Sequence, residues 1–518
     1  MFSISFDYLW LYFIIIFILK FKKMKEQNDT SFYGQPRGLA TLFFTEMWER
    51  FSYYGMRALL ILFMTATVAD GGLGFDTRLA GVIYGIYTAL VYMTNLPGGW
   101  IADRFIGARK AVFIGGVIIM FGHICLMFTG LAFFYFGLLL VIIGTGLLKP
   151  NVSTMVGDLY AQEDKRRDGG FSIFYMGINI GAFIAPLICG YLGQKVNWHF
   201  GFGAAAVGMF FGLLQYKLTE KYLGDIGLPS KQTQDATVIA NAKRQLMMGL
   251  GILAAVILAL IGLVSGSYLT INPENLSLFF GGLYVVLVLG YFGSLFSQKG
   301  WTPEERGRLK VIVVLFIAAA IFWASYEQAG STMSLFADRF TQNSILGFSF
   351  PSTWWQSVPA IGVILFAPVF AWLWIRLAKQ DREPSIPLKF SMGLLFAGFS
   401  FLILVPAALF LSANAGLKVG PQWLLTVFFL QTLGELCLSP VGLSSMTKLA
   451  PSRIVGQMMG VWFLAASVGN FIGGQVGSLF ESFPLAQIFF TVFAFASSTG
   501  LLLFLFRKKL AGLIGQVK

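Results

Sequence analysis

The sequence predicts an all-α membrane protein that crosses the bilayer fourteen times. Three observations carry that prediction. Of 518 residues, 57% are hydrophobic and only 12% are charged, with a mean hydropathy of +0.74, a balance foreign to soluble domains. Apolar runs near the ~20 residues needed to span hydrocarbon recur from one end to the other. The 37 Lys and Arg residues, part of a net charge of +13, are scattered through short polar gaps between those runs. A nucleic-acid surface would gather them into one patch, so no nucleic-acid partner is expected; a bilayer is.

The elements follow in order. Residues 1–23 stand apart: 2–21 is apolar, with Lys20, Lys22, Lys23 and Lys25 at its end, whereas a secretory signal carries its positive charge first. The favoured reading is a start at Met24, with an extra span as the alternative. A first span covers 39–68. Spans at 79–101 and 110–129 flank a turn bearing Arg104, Arg109 and Lys110. The run 131–156 holds Lys149, 170–192 follows Lys165, Arg166 and Arg167, and 200–218 ends at Lys217 and Lys221. After a polar linker with Lys231, Lys243 and Arg244, the pair 246–266 and 277–297 contains no buried charge and reads as a lipid-facing appendage. Spans at 309–334, 354–377, 388–411, 422–447, 457–479 and 485–507 complete the set, with cations in the gaps on alternate sides. Placing the N-terminal segment inside leaves only Arg78, Lys195, Arg339 and Lys418 outside, so both termini are expected in the cytoplasm.

This arrangement has a symmetry. A six-span bundle at 24–219 and another at 308–518 flank a linker and helix pair at 220–307. Two six-helix bundles around a central site near the midplane are the plan of the major facilitator fold.

The costly residues lie in the first span. Read as a helix, Glu46, Glu49, Arg50, Tyr53, Tyr54 and Arg57 fall within an arc of roughly 140°. Each ionised group at the bilayer centre costs about 2.5–3.5 kcal/mol on the insertion scale, so this face must look into a bundle or a watery cavity and marks a substrate or ion path. Two carboxylates beside Arg50 form a network whose protonation burial and charge can tune, which suits a proton carrier; a purely structural ion network is the alternative. Lys149 and Glu435 are equally isolated in apolar sequence, and the two-bundle plan sets them facing one another. Arg57 with Glu327 and Arg78 with Asp338 are candidate gate pairs between the halves on the outer side. Cys125, Cys189 and Cys437 lie far apart in apolar segments and His123 and His199 are isolated, so no disulfide framework, metal centre or cofactor is expected.

EMWERFSYYG, from Glu46, resembles the ExxERFxYYG signature of the proton-coupled oligopeptide transporters, the peptide branch of the major facilitator superfamily. FSIFYMGINIG at 171–181 resembles that family's second signature. GTGLLKPNVS at 144–153, FWASYEQAGS around Trp323 and LGELCLSPVGLS at 433–444 are also similar to family segments, in order along the chain. GGWIADRFIGARK at 98–110 fits the superfamily's loop between helices 2 and 3, where Asp103 can accept from a helix N-terminus and the cations brace the closed state. The helix pair is similar to one common in bacterial members.

The resemblance implies a bacterial inner-membrane symporter that imports di- and tripeptides with protons by alternating access; because the fold needs no partner to make its cavity, a functional monomer is expected. It implies proton coupling through Glu46, Glu49, Arg50, Lys149, Glu327 and Glu435. Arg57, Lys149, Tyr53, Tyr54 and Tyr92 would take the peptide backbone and carboxylate, and Glu435 the amine. Asn179, Ser439, Trp323 and Trp462 match other family ligand positions; Trp354 and Trp355 read as members of the interfacial belt. One departure stands out: after Trp355 the chain runs Gln356, Ser357, Val358, Pro359, Ala360, without the Asn that commonly serves the amine in this family. Rival readings are the same fold carrying nitrate or a specialised anion, a non-transporting sensor, and an intramembrane enzyme. The last would need a nucleophile, base and electrophile set that two isolated histidines and scattered serines do not supply.

Overall fold

In the computed structural model of the chain, residues 29–161, 163–229, 236–266, 270 and 272–514 are described. The apolar segment 2–21 and both readings of it lie outside the described residues. Fourteen long helical runs follow one another: α1 Arg37–Thr65, α2 Thr77–Ile106, α3 Ala108–Leu126, α4 Leu131–Asp158, α5 Arg167–Val196, α6 Trp198–Thr219, α7 Ala236–Ser265, α8 Pro273–Ser297, α9 Pro303–Phe340, α10 Ser352–Lys379, α11 Ile386–Ala413, α12 Gln422–Leu449, α13 Arg453–Ser478 and α14 Leu485–Ile514. Among the described residues, eleven helices are long and apolar enough to cross a membrane, fewer than the fourteen crossings expected. The first helix falls short for a physical reason: it holds Glu46, Glu49, Arg50 and Arg57, all buried inside the protein rather than turned to lipid.

Helix ends are set by local chemistry. Asp76 caps α2 by accepting from the Leu79 amide at 2.7 Å, and Asn272 caps α8 in the same way. Thr302 and Glu305 exchange side-chain and backbone bonds at the start of α9, a capping box with Pro303 in the first turn. Long helices come in pairs: α1 lies against α5 and α6, α3 against α4 and α6, α9 against α13, and α11 against α12 and α14. The two halves meet along two seams, α2 with α13 and α5 with α10. At the first seam the backbones touch. A methyl added at Gly85 would lie 2.8 Å from Gly474 Cα, and one at Gly81 would lie 2.4 Å from the Ser478 amide, so small residues four apart permit the approach.

One end of the bundle carries most of the cations and the other few; they are called here the basic and charge-poor faces. On the basic face, Arg109 does not brace one half against the other. Its guanidinium donates to the Gly224 carbonyl at 2.6 Å and the Ile226 carbonyl at 2.8 Å, while its amide donates to the Gly227 carbonyl at 2.9 Å. It therefore pins the start of the linker to the first half. Gly107 makes this possible, with φ +77° and no room for a side chain: a methyl added there would lie 2.9 Å from the Gly227 carbonyl.

On the charge-poor face, Ser344–Ile345 pairs antiparallel with Phe348–Ser349 through Leu346 and Gly347, both at positive φ, a hairpin that the apolar periodicity does not announce. Trp355 is a correction to the belt reading. It is 3% exposed and donates its indole N–H to Asn343 Oδ1 at 2.8 Å, so it is a core residue beneath the hairpin. The helix pair is also more than an appendage at one end: although largely exposed, α8 carries Glu274, which forms an ion pair at 2.5 Å with Arg78 of α2.

Candidate functional site

The stripe on α1 is enclosed except at Tyr54. Glu46, Glu49, Arg50, Tyr53 and Arg57 are each at most 4% exposed, and Tyr54 is half-buried. Arg50 Nε meets Glu46 at 3.2 Å and donates to the neighbouring Glu49 carboxylate. Two carboxylates thus share one guanidinium in a place water does not reach. Each acid still has one oxygen without a protein hydrogen bond, as has Arg50 Nη2, so the network holds unused capacity for a proton or a ligand. The guanidinium also sits 5.2 Å from the Tyr53 ring centroid.

Two turns further on, Arg57 joins the halves. Its Nη2 lies 2.5 Å from Glu327 Oε2 and 3.2 Å from the Glu327 carbonyl, and its Nε donates to the Tyr84 hydroxyl at 2.7 Å. Glu327 begins the short 3-10 turn Glu327–Gly330 that interrupts α9, so its side chain and carbonyl both present to one cation. Gly330 lets Tyr84 in: a methyl there would lie 1.9 Å from the hydroxyl.

The second expected pair does not form. Arg78 is half-exposed and bonds Glu274, while Asp338 accepts from Ser352 at 2.7 Å and Gln194 at 3.2 Å. The neighbouring Arg339 instead crosses to Glu481, whose carboxylate also accepts from the Thr77 hydroxyl at 2.7 Å. The reason is lateral placement: α8 lies beside the tip of α2 and offers Arg78 a closer acid, which helix order alone does not reveal.

Glu435 of α12 accepts from two phenols, Tyr175 of α5 at 3.2 Å and Tyr326 of α9. Lys149 forms no ion pair among the described residues. Its ammonium stands 4.3 Å from the Tyr92 ring centroid and 5.9 Å from that of Phe463, and Glu46, Glu49 and Glu327 are within electrostatic range. The expected confrontation of Lys149 with Glu435 is thus replaced by a lysine held on aromatic faces near the α1 acids and a carboxylate held by tyrosines.

Around Glu435 lie Trp323, 5.7 Å from Tyr326, and Trp462, 6.4 Å from Trp323, forming an aromatic wall. Asn179 donates to the Tyr175 carbonyl at 2.9 Å, and Ser439 sits half-buried one turn after Glu435. Gln356, near the missing Asn, donates to Ser334 at 2.7 Å within its own half and lies 3.5 Å from the Ala58 carbonyl of the first half. Tyr84, Tyr175 and Tyr326 escaped the sequence reading. Each carried a signal, since Tyr84 lies two turns from Tyr92, Tyr175 one turn from Asn179 and Tyr326 beside Glu327.

The bonds from Thr77 and Arg339 hold the Glu481 carboxyl below the usual carboxylate range. A carboxyl with a depressed native pKa contributes stability above its unfolded pKa, and that contribution is lost as pH falls through the lower native value. The clasp on the charge-poor face should therefore persist at about pH 5, above the ordinary Glu range. Spin-label distances between Val68→Cys and Leu346→Cys should show any opening near pH 6 unchanged in Glu481→Gln; abolition of that opening by the variant would contradict the assignment.

Comparison with known proteins gives consistent results. The family model described as PTR2, POT family, matches residues 109–494. The chain is 42% identical over 455 residues to the peptide transporter YePEPT of Yersinia enterocolitica, covering 86% of this chain and 88% of that one. It is 40% identical over 505 residues to a di-/tripeptide transporter of Lactococcus lactis subsp. cremoris, covering 95% and 99%. A mutant of a peptide transporter POT solved in complex with alafosfalin superimposes with a TM-score of 0.84 at 43% identity, over 94% of this chain and 97% of that one.

Proposed function

The chain belongs to the POT family, and from that premise we propose that it is a proton-coupled symporter importing di- and tripeptides by alternating access. Arg57–Glu327 carries the reading: a buried ion pair that joins the two halves, one turn from phenols and two to three from acids that a peptide and a proton can engage. Relatives named as peptide and di-/tripeptide transporters across nearly the whole chain support the substrate class.

In this reading Glu46, Glu49 and Arg50 form the proton-tuned network. Lys149 stands close enough to feel its charge. A peptide carboxylate is drawn toward Arg57 and Lys149, with Tyr53, Tyr54 and Tyr92 beside it. The amine is drawn to Glu435, already held in place by Tyr175 and Tyr326, with Asn179, Ser439, Trp323 and Trp462 shaping the wall. Charge-assisted bonds to the two termini fix a peptide while asking little of its side chains. The Arg57–Glu327 pair is the gate on the charge-poor face, which is closed here along both seams. We assign that face to the outside of a bacterial inner membrane, both termini to the cytoplasm, and the working unit to a monomer without catalytic activity. The two bundles, 24–219 and 308–518, are the moving halves.

Proteoliposomes should accumulate labelled dialanine when an inward proton gradient is imposed and only equilibrate without it. Folded protein that accumulates no dipeptide would overturn the substrate class.

A further inference from the structure

The helix pair between the halves is the part of the molecule that neither the substrate site nor the gate pairs use. Its second member has a patterned face. Glu274, Ser277, Gly281, Tyr284, Val288, Tyr291 and Leu295 recur at intervals of three and four residues, so they form one continuous stripe along α8. That stripe does not face lipid. It lies over the α2–α13 seam, where the two halves touch.

Contacts run the length of the stripe and reach both halves. Glu274 pairs with Arg78 of α2 at 2.5 Å. Ser277 donates to Gln475 of α13, and the Tyr284 ring lies 5.3 Å from that of Phe471. Tyr291 donates to Gln457 at 3.0 Å. At the centre, Tyr284 and Ser467 hydroxyls are 2.8 Å apart, and Ser467 donates its one proton to the Ala89 carbonyl of α2 at 2.6 Å. Tyr284 must therefore be the donor to Ser467. The relay Tyr284–Ser467–Ala89 is buried, with Tyr284 4% exposed and Ser467 fully covered, and it ties α8, the second half and the first half into one hydrogen-bonded chain. A cavity of about 350 Å³ lined by Thr77, Arg78, Glu274, Ser478 and Glu481 opens beside the outermost of these contacts.

We infer that α8 is a clamp on the closed charge-poor face, and that Tyr284 and Glu274 are positioning residues that set how often this face opens. Separation of α2 from α13 has to break the Ser467–Ala89 bond and, because α8 is tied to α13 by Tyr284–Ser467 and to α2 by Glu274–Arg78, one of those two contacts as well. The exposed Arg78–Glu274 pair contributes little by itself, whereas the buried relay resists that motion. The inference rests on alternating access, but its first readout needs no peptide.

Tyr284→Phe keeps the ring and removes only the donor. In a background lacking Cys125, Cys189 and Cys437, spin labels at Val68→Cys and Leu346→Cys report the distance across the charge-poor face. The ratio of open to closed populations should rise about two- to tenfold in Tyr284→Phe, the scale of one net hydrogen bond, and further in Tyr284→Phe with Glu274→Gln. The apparent KM for peptide supplied at that face should fall by the same factor, because the competent state is more populated. A fold defect would lower the maximal rate with no such fall. Unchanged distances in the double variant, or a shift toward closure, would overturn the clamp. Failure of dialanine uptake with the distance shift intact would instead count against the transport reading alone.

Discussion

Glu327→Ala is expected to open the charge-poor face by a factor of about a hundred or more. The partner left behind, Arg57, is buried and loses its carboxylate, keeping only the residue 327 carbonyl and the Tyr84 hydroxyl as neutral partners. Removing one member of a buried pair typically costs about 3–5 kcal/mol, since the remaining charge is stranded out of water, and each 1.4 kcal/mol is tenfold in population. That cost falls on the closed state, because opening lets water reach the guanidinium. The same spin-label pair reads the shift. The double change Arg57→Met with Glu327→Leu should restore closure, as apolar replacements of buried pairs are often neutral or better, while abolishing uptake. Arg57→Lys keeps the charge but cannot span carboxylate, carbonyl and Tyr84 together, so uptake should fall steeply. Parent-like distances in Glu327→Ala, or parent-like uptake by Arg57→Lys, would remove this pair from the gate.

The second large effect is at Glu435. Changing it to Gln keeps the shape and an acceptor for a tyrosine but removes the negative charge. A hydrogen bond to a charged group is worth about 1.5–3 kcal/mol, so the affinity for dialanine should fall about 10- to 100-fold. N-acetyl-dialanine, which has no ammonium, should be affected far less. Tyr326→Phe and Tyr175→Phe should each cause a smaller loss, since they remove one orienting donor and leave the charge. Equal losses for the free and acetylated peptides would show that Glu435 does not read the amine.

Those features that were legible in the sequence share one trait: an energetic cost that only one arrangement relieves. Ionised groups in an apolar run demanded burial against protein, and the α1 stripe is buried against protein. Arg57 and Glu327 were both isolated charges at similar depth, and the structure sets them together. Where several partners were equally affordable, sequence order misled. Arg78 found Glu274 because α8 stands beside α2, a lateral fact with no periodic signature. Lys149 settled on Tyr92 because an aromatic face can take a cation without a carboxylate. The tyrosines of Glu435 were overlooked because a phenol's demand for a partner is weaker than a charge's, so their signal, one turn from Asn179 and beside Glu327, was faint. Trp355 was misread for a related reason: its N–H is satisfied by Asn343 within a loop whose hairpin the apolar pattern did not show.

The most direct test of proton-coupled peptide import compares dialanine accumulation driven by a proton gradient with gradient-free exchange, in the parent and in Glu49→Gln. Glu49 shares Arg50 with Glu46 and retains an unpartnered oxygen in a site closed to water. The parent should accumulate peptide against its gradient. Glu49→Gln should still exchange peptide but no longer concentrate it. Accumulation that survives in Glu49→Gln would contradict the account.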